Sequence, residues 1–94
     1  MASRESLIKE LEISFPYISL KTTEEFGASP GGIWTFAEGE GDTYGPWFDY
    51  DAAMYDSSEI HYVMGVRRDV LAVIEKAGFY PEFNDPGTVM IWPS

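Results

Sequence analysis

The chain has no cysteine among its 94 residues, which excludes disulfides and thiolate metal sites outright. It has a single histidine, His61. No apolar run approaches the roughly 18 residues that a membrane-spanning helix needs. The charged start MASRESLIKELE lacks the apolar core of a secretion signal, so a cytoplasmic protein is expected. The most telling absence is local: from Thr22 to Val66 there is neither lysine nor arginine.

That stretch carries nine carboxylates: Glu24, Glu25, Glu38, Glu40, Asp42, Asp49, Asp51, Asp56 and Glu59. The rings of Phe26, Trp34, Phe36, Tyr44, Trp47, Phe48, Tyr50 and Tyr55 lie among them. Residues 1–21 hold three acids and three bases, and 67–94 hold four acids and three bases. The middle therefore supplies nine of the ten net negative charges. Such a balance works against direct binding of nucleic acid or an anionic membrane, whose phosphates it repels. It favours a basic protein, and extended basic surfaces are typical of proteins that bind DNA or RNA. The plain alternative is that the acids serve solubility only.

A length of 94 residues implies one domain, 1–94, with one core and little room for an enclosed active site. The apolar fraction of 45% and the aromatic fraction of 16% favour a folded chain despite the charge. Leu7, Ile8, Leu11 and Phe15 recur at helical spacing behind Ser3, a good N-cap, which predicts a helix over about 3–14 ended by Pro16. Tyr17 to Lys21 alternates as a short strand. Thr22 and Glu25 have the spacing of a capping box for one helical turn, closed by Gly27. In the strand Ile33–Ala37, Trp34 and Phe36 share one face while Ile33, Thr35 and Ala37 share the other.

A hairpin or wide loop is expected as far as Gly45–Pro46. Trp47, Phe48 and Tyr50 suit a strand, although Asp49 also suits the cap of a short helix to Tyr55; both readings stand. Ile60–Met64 reads as a strand ended by Gly65. A helix over about 66–77 buries Val66, Val70, Leu71, Ile74 and Ala77, and Gly78 is placed to end it in the left-handed conformation. Asp85-Pro-Gly-Thr88 fits a type II turn, and Thr88–Trp92 a closing strand, central or covered on both faces. The expected fold is α+β: a mixed or antiparallel sheet of four to five short strands packed against two helices. Trp34, Phe36, Phe48, Phe79 and Trp92 are expected in the core.

The sharpest local pattern is Glu38-Gly-Glu40-Gly-Asp42. In an extended chain alternate residues point the same way and lie about 6.6–6.8 Å apart, which makes a row of negative charge comparable with a phosphate backbone. The same acids, with Asp49 and Asp51, have the oxygen chemistry of a divalent-cation site, but no EF-hand spacing is present. Nothing predicts an enzyme or a cofactor. Ser57 and Ser58 near His61 lack a nucleophile-elbow setting, and exposed acids on so small a domain form no cleft for a sugar. GEGDTYG lacks the lysine of a phosphate-binding loop. Arg67 and Arg68 are expected to fold back on the acids or stay solvated.

The candidate partner-binding set is therefore Glu38, Glu40, Asp42, Tyr44, Trp47, Asp49, Tyr50, Asp51, Tyr55, Asp56 and Glu59, with tyrosine and tryptophan as interface anchors. At the level of class only, a small, cysteine-free, strongly acidic domain resembles the inhibitors made by phages and mobile elements. Anti-CRISPR and anti-restriction proteins are among these, and some imitate nucleic acid. The resemblance rests on composition and charge segregation and implies no fold. It implies an inhibitor, monomer or homodimer, that docks an acidic, aromatic face on a basic partner. The alternatives are an assembly subunit whose apolar face meets its own copies, and a divalent-cation-binding domain.

Overall fold

Ser3 accepts a hydrogen bond from the backbone N–H of Ser6 at 3.1 Å, and helix α1 runs from there over Arg4–Ser14. The computed structural model describes residues 3–37, 40–55 and 61–94, without the side chains of 53–55. Phe15 caps α1 and turns inward, and Ile18 follows it into the core. Strand β1 is Leu20–Thr22, shifted toward the C-terminus of the expected strand. The one-turn helix α2, Thr23–Phe26, starts in the expected capping box: Thr22 accepts from Glu25 N–H, and the Glu25 carboxylate accepts from Thr22 N–H.

Strand β2, Ile33–Phe36, shows the expected two faces. Ile33, Thr35 and the following Ala37 are buried, whereas Phe36 is exposed and Trp34 only half-buried. Trp34 and Phe36 are therefore not core residues. They lie on the sheet face opposite the core, where Phe26 of α2 approaches the Trp34 ring at 4.9 Å.

Two short hairpins occupy the middle of the chain. Strands β3 (Gly41–Asp42) and β4 (Gly45–Pro46) form the first. The chain then enters helix α3, Tyr50–Tyr55, whose first turn is capped by Asp49: its Oδ1 accepts from the N–H groups of Asp51 and Ala52. The strand reading is thus limited to one bridge, Phe48 with Val66. Strands β5 (Tyr62–Val63) and β6 (Val66–Arg67) form the second hairpin.

Helix α4 is Arg68–Lys76, shorter than expected because Val66 and Arg67 pair as a strand. Val66, Val70, Ile74 and Ala77 are buried as the periodicity requires. Gly78 has φ +84° and its N–H donates to Glu75 O at 3.0 Å, a left-handed ending that a β-branched residue would resist.

Strand β7, Phe79–Asp85, was not visible in the pattern, since Pro81 interrupts it. It forms an antiparallel hairpin with β8, Thr88–Pro93. The turn between them is not type II, because Gly87 has no positive φ; its N–H donates instead to Asp85 Oδ1 at 2.9 Å. The four-stranded antiparallel sheet has the order β1-β2-β8-β7. β7 is an edge strand, which is where a proline can lack its N–H without breaking the ladder. β8 is interior to the sheet, as expected of a central strand, and Val89, Met90 and Ile91 are all buried. Leu7 and Leu11 of α1, Val70 and Ile74 of α4, and Ile33, Val89 and Ile91 of the sheet belong to one core. The result is a single mixed α+β domain. No described helix is long and apolar enough to cross a membrane.

Candidate functional site

Among the described residues, the acidic stretch does not fan out into solvent as one row. Its organiser is Arg67, at the end of β6. The backbone N–H of Arg67 donates to Trp47 O at 3.0 Å, and that of Asp49 to Gly65 O at 2.7 Å, so residues 47–49 run beside the second hairpin. The Arg67 side chain then reaches back across the first hairpin. Nη1 donates to Asp42 Oδ1 at 2.6 Å and to Gly45 O at 2.9 Å, and Nη2 to Asp42 Oδ2 at 3.2 Å. Nε and Nη2 also donate to the two oxygens of Asp69, at 2.7 and 2.9 Å. The guanidinium lies 4.7 Å from the Trp47 ring centroid, and Phe15 packs on that ring at 5.2 Å. A buried guanidinium is tolerated because its charge is matched and most of its donors are occupied.

The electrostatics follow the geometry. The hydrogen bond from Arg67 holds the Asp42 carboxyl below the usual carboxylate range, against a smaller opposing effect of burial. Asp69, then Asp42, raise the affinity of Arg67 for its proton. Burial, then the negative charge of Asp49, push the Tyr62 phenol upward, and its O–H donates to Pro46 O at 2.8 Å.

The candidate residues are therefore divided. Asp42 is bound within the fold. Trp47 is fully buried beneath Arg67, which corrects its reading as an interface anchor: the turn at Gly45–Pro46 carries it inward onto Phe15. Glu40 is half-buried, with Oε1 unpartnered among the described residues. Tyr44, at the tip of the first hairpin, is 85% exposed. Asp49, Tyr50 and Asp51 come together on a cleft of about 240 Å³ that Pro46, Phe48 and Pro86 also line. Asp51 is exposed, and the Tyr50 ring stands edge-on to Phe83 at 5.5 Å. Glu38, Asp56 and Glu59 lie outside the described residues, as does the side chain of Tyr55.

His61 is exposed and its carbonyl accepts from Arg68 N–H, in keeping with a solvated histidine. Arg67 folds back on the acids as expected. Among the described residues no group of three or more acid or histidine side chains could hold a metal ion. Pro86, on the far side of the cleft, was missed because it lies some 35 residues away in sequence and arrives only through the β7–β8 turn. No protein family, curated protein or solved structure matches the chain.

Proposed function

We propose that the protein is a small acidic inhibitor that docks on the basic surface of a nucleic-acid-binding protein in the cytoplasm, competing with the polyanion and catalysing nothing. The observation that carries this reading is the cleft lined by Asp49, Tyr50 and Asp51, which no basic side chain lines among the described residues. A lysine or arginine of the partner placed there would meet the exposed Asp51 carboxylate and the partly open face of Tyr50, a cation–π arrangement. Tyr44 is free to add contact area from the hairpin tip.

Two of the chain's bases also support the reading, since each is neutralised within the fold. Arg4 donates to Glu24 at 2.7 Å and Arg67 to Asp42 and Asp69, which leaves the net charge of −10 to act outward. Of the Glu38–Glu40–Asp42 row, Asp42 is held by Arg67 within the fold, so the reading rests on Asp49, Tyr50 and Asp51 instead.

The test uses capture from a lysate of the source cell, with the wild-type chain and with a folded variant carrying Tyr50→Ala and Asp51→Lys, each at low and high salt. The expected result is basic proteins retained by the wild type at low salt, and lost both with the variant and at high salt. Retention that neither change disturbs would leave solubility as the only role of the charge.

A further inference from the structure

A second surface owes nothing to the acids. Cross-strand partners point to the same side of a sheet. Lys21, Trp34, Met90 and Glu82 therefore form one row across β1, β2, β8 and β7, on the face away from the core. Phe36, Thr88 and Asp85 make the neighbouring row on one side, and Trp92 with Tyr80 the row on the other. Phe36 is 36% exposed and Tyr80 44%, with Phe26 at the margin 40% exposed. Trp92 lies across Gly32, where a Cβ would come within 2.6 Å of its ring, so the surface is nearly flat there.

We propose that this face is where two copies of the chain meet, sheet against sheet. The charge pattern selects the occupant. In a molecule of net charge −10 these rows carry one base, Lys21, at the β1 end and two acids, Glu82 and Asp85, at the β7 end. A basic partner would meet Lys21 as well as the acids, and a polyanion the acids as well as Lys21; a second copy sets the basic end of one face against the acidic end of the other. A two-fold axis along the strands, between β2 and β8, exchanges the two ends and keeps each row at its own level. Lys21 of each copy then faces Glu82 of the other, and the aromatic rows close over one another. Four strands about 4.8 Å apart and six residues at about 3.4 Å each give a face of about 15 by 20 Å. That is small for a specific interface, so the dimer is expected to be weak and reversible.

The test is sedimentation equilibrium of the full chain from low micromolar to several hundred micromolar, with Lys21→Glu and Glu82→Lys measured singly and mixed. Both side chains are exposed, so the variants keep the fold, which circular dichroism checks. The wild type is expected to dimerise. Each single variant places like charges opposite one another twice and is expected to weaken the dimer roughly tenfold. An equimolar mixture of the two variants pairs opposite charges again and is expected to recover wild-type affinity within a factor of a few. A wild type that stays monomeric throughout overturns the proposal. A dimer indifferent to the single changes, or a mixture that fails to recover, overturns it as well. Neither result bears on the acidic cleft, which lies on other residues.

Discussion

Arg67 and Asp42 show how a single cation can settle the conformation of an acidic loop. The first hairpin contributes few apolar side chains, and Asp42, Gly45 O and the Trp47 ring all converge on one guanidinium that is 6% exposed. Arg67→Ala would leave Asp42 and Asp69 facing each other without a cation and would uncover Trp47. The expected loss is about 1–2 kcal/mol, below the scale of a fully buried pair because Asp42 and Asp69 keep contact with solvent, read as a lower urea midpoint at neutral pH. The sign of the pH dependence follows from Asp42. Its carboxyl is depressed in the fold, so its contribution is present above the ordinary value of about 3.9 and is lost as pH falls through the lower folded value. Glu24, held down by Arg4, and Glu25, held down by the Thr22 backbone, act in the same direction. The urea midpoint should therefore fall as the medium is acidified below about pH 4. Asp42→Asn should be less stable at neutral pH but lose less over that interval. An unchanged slope in the variant would contradict the role given to the pair. Nothing local identifies Arg67 as the core cation and Arg68 as the exposed one. The element boundary decides it: Arg67 is held in the β5–β6 hairpin beside Trp47 and the first hairpin, and Arg68 opens α4 on the exposed side.

At the level of elements, two turns carry strain that substitution can reveal. Met64 and Gly65, between β5 and β6, have φ of 52° and 82°, the signs that a two-residue hairpin of type I′ requires. Methionine is a poor residue there, and its side chain is 76% exposed, so little packing is lost on replacement. Met64→Asn should stabilise the domain by about 1 kcal/mol in urea unfolding. The end of α4 gives the opposite case. Gly78→Val puts a β-branched side chain at φ +84° and should cost about 1 kcal/mol or more, measured the same way. The elements legible in the sequence are those governed by neighbours in the chain: the Ser3 cap, the Thr22–Glu25 capping box, the alternation of β2 and the left-handed glycine after α4. Strand β7 was not legible, since Pro81 argues against any strand until the sheet order places it on an edge. The turn Asp85–Thr88 was misread for a related reason, because the Asp85 side chain supplies the bond that a type II backbone was expected to supply.

For the molecule as a whole, the net charge of −10 is a destabilising field spread over a domain of 94 residues. Added sodium chloride, by shortening the screening length from about 30 Å at 0.01 M to about 8 Å at 0.15 M, should raise the melting temperature by a few degrees. A melting temperature that falls instead would mean that ion pairs such as Arg67 with Asp42 outweigh the repulsion. The sequence alone determined the acidic character, the absence of disulfides, the single-domain size and the α+β class, because these depend on residue counts, length and periodicity within one element. Only the tertiary structure decided which acids remain available. Asp42 and Trp47 belong to the same stretch as Asp51 and Tyr44, yet the first two are drawn inward by Arg67 and Phe15 while the last two stay in solvent. It also decided the fate of Trp34 and Phe36, which share a face by simple alternation. Whether that face is core or surface depends on which side of the sheet α1 and α4 cover, and that is settled by packing between segments far apart in the chain.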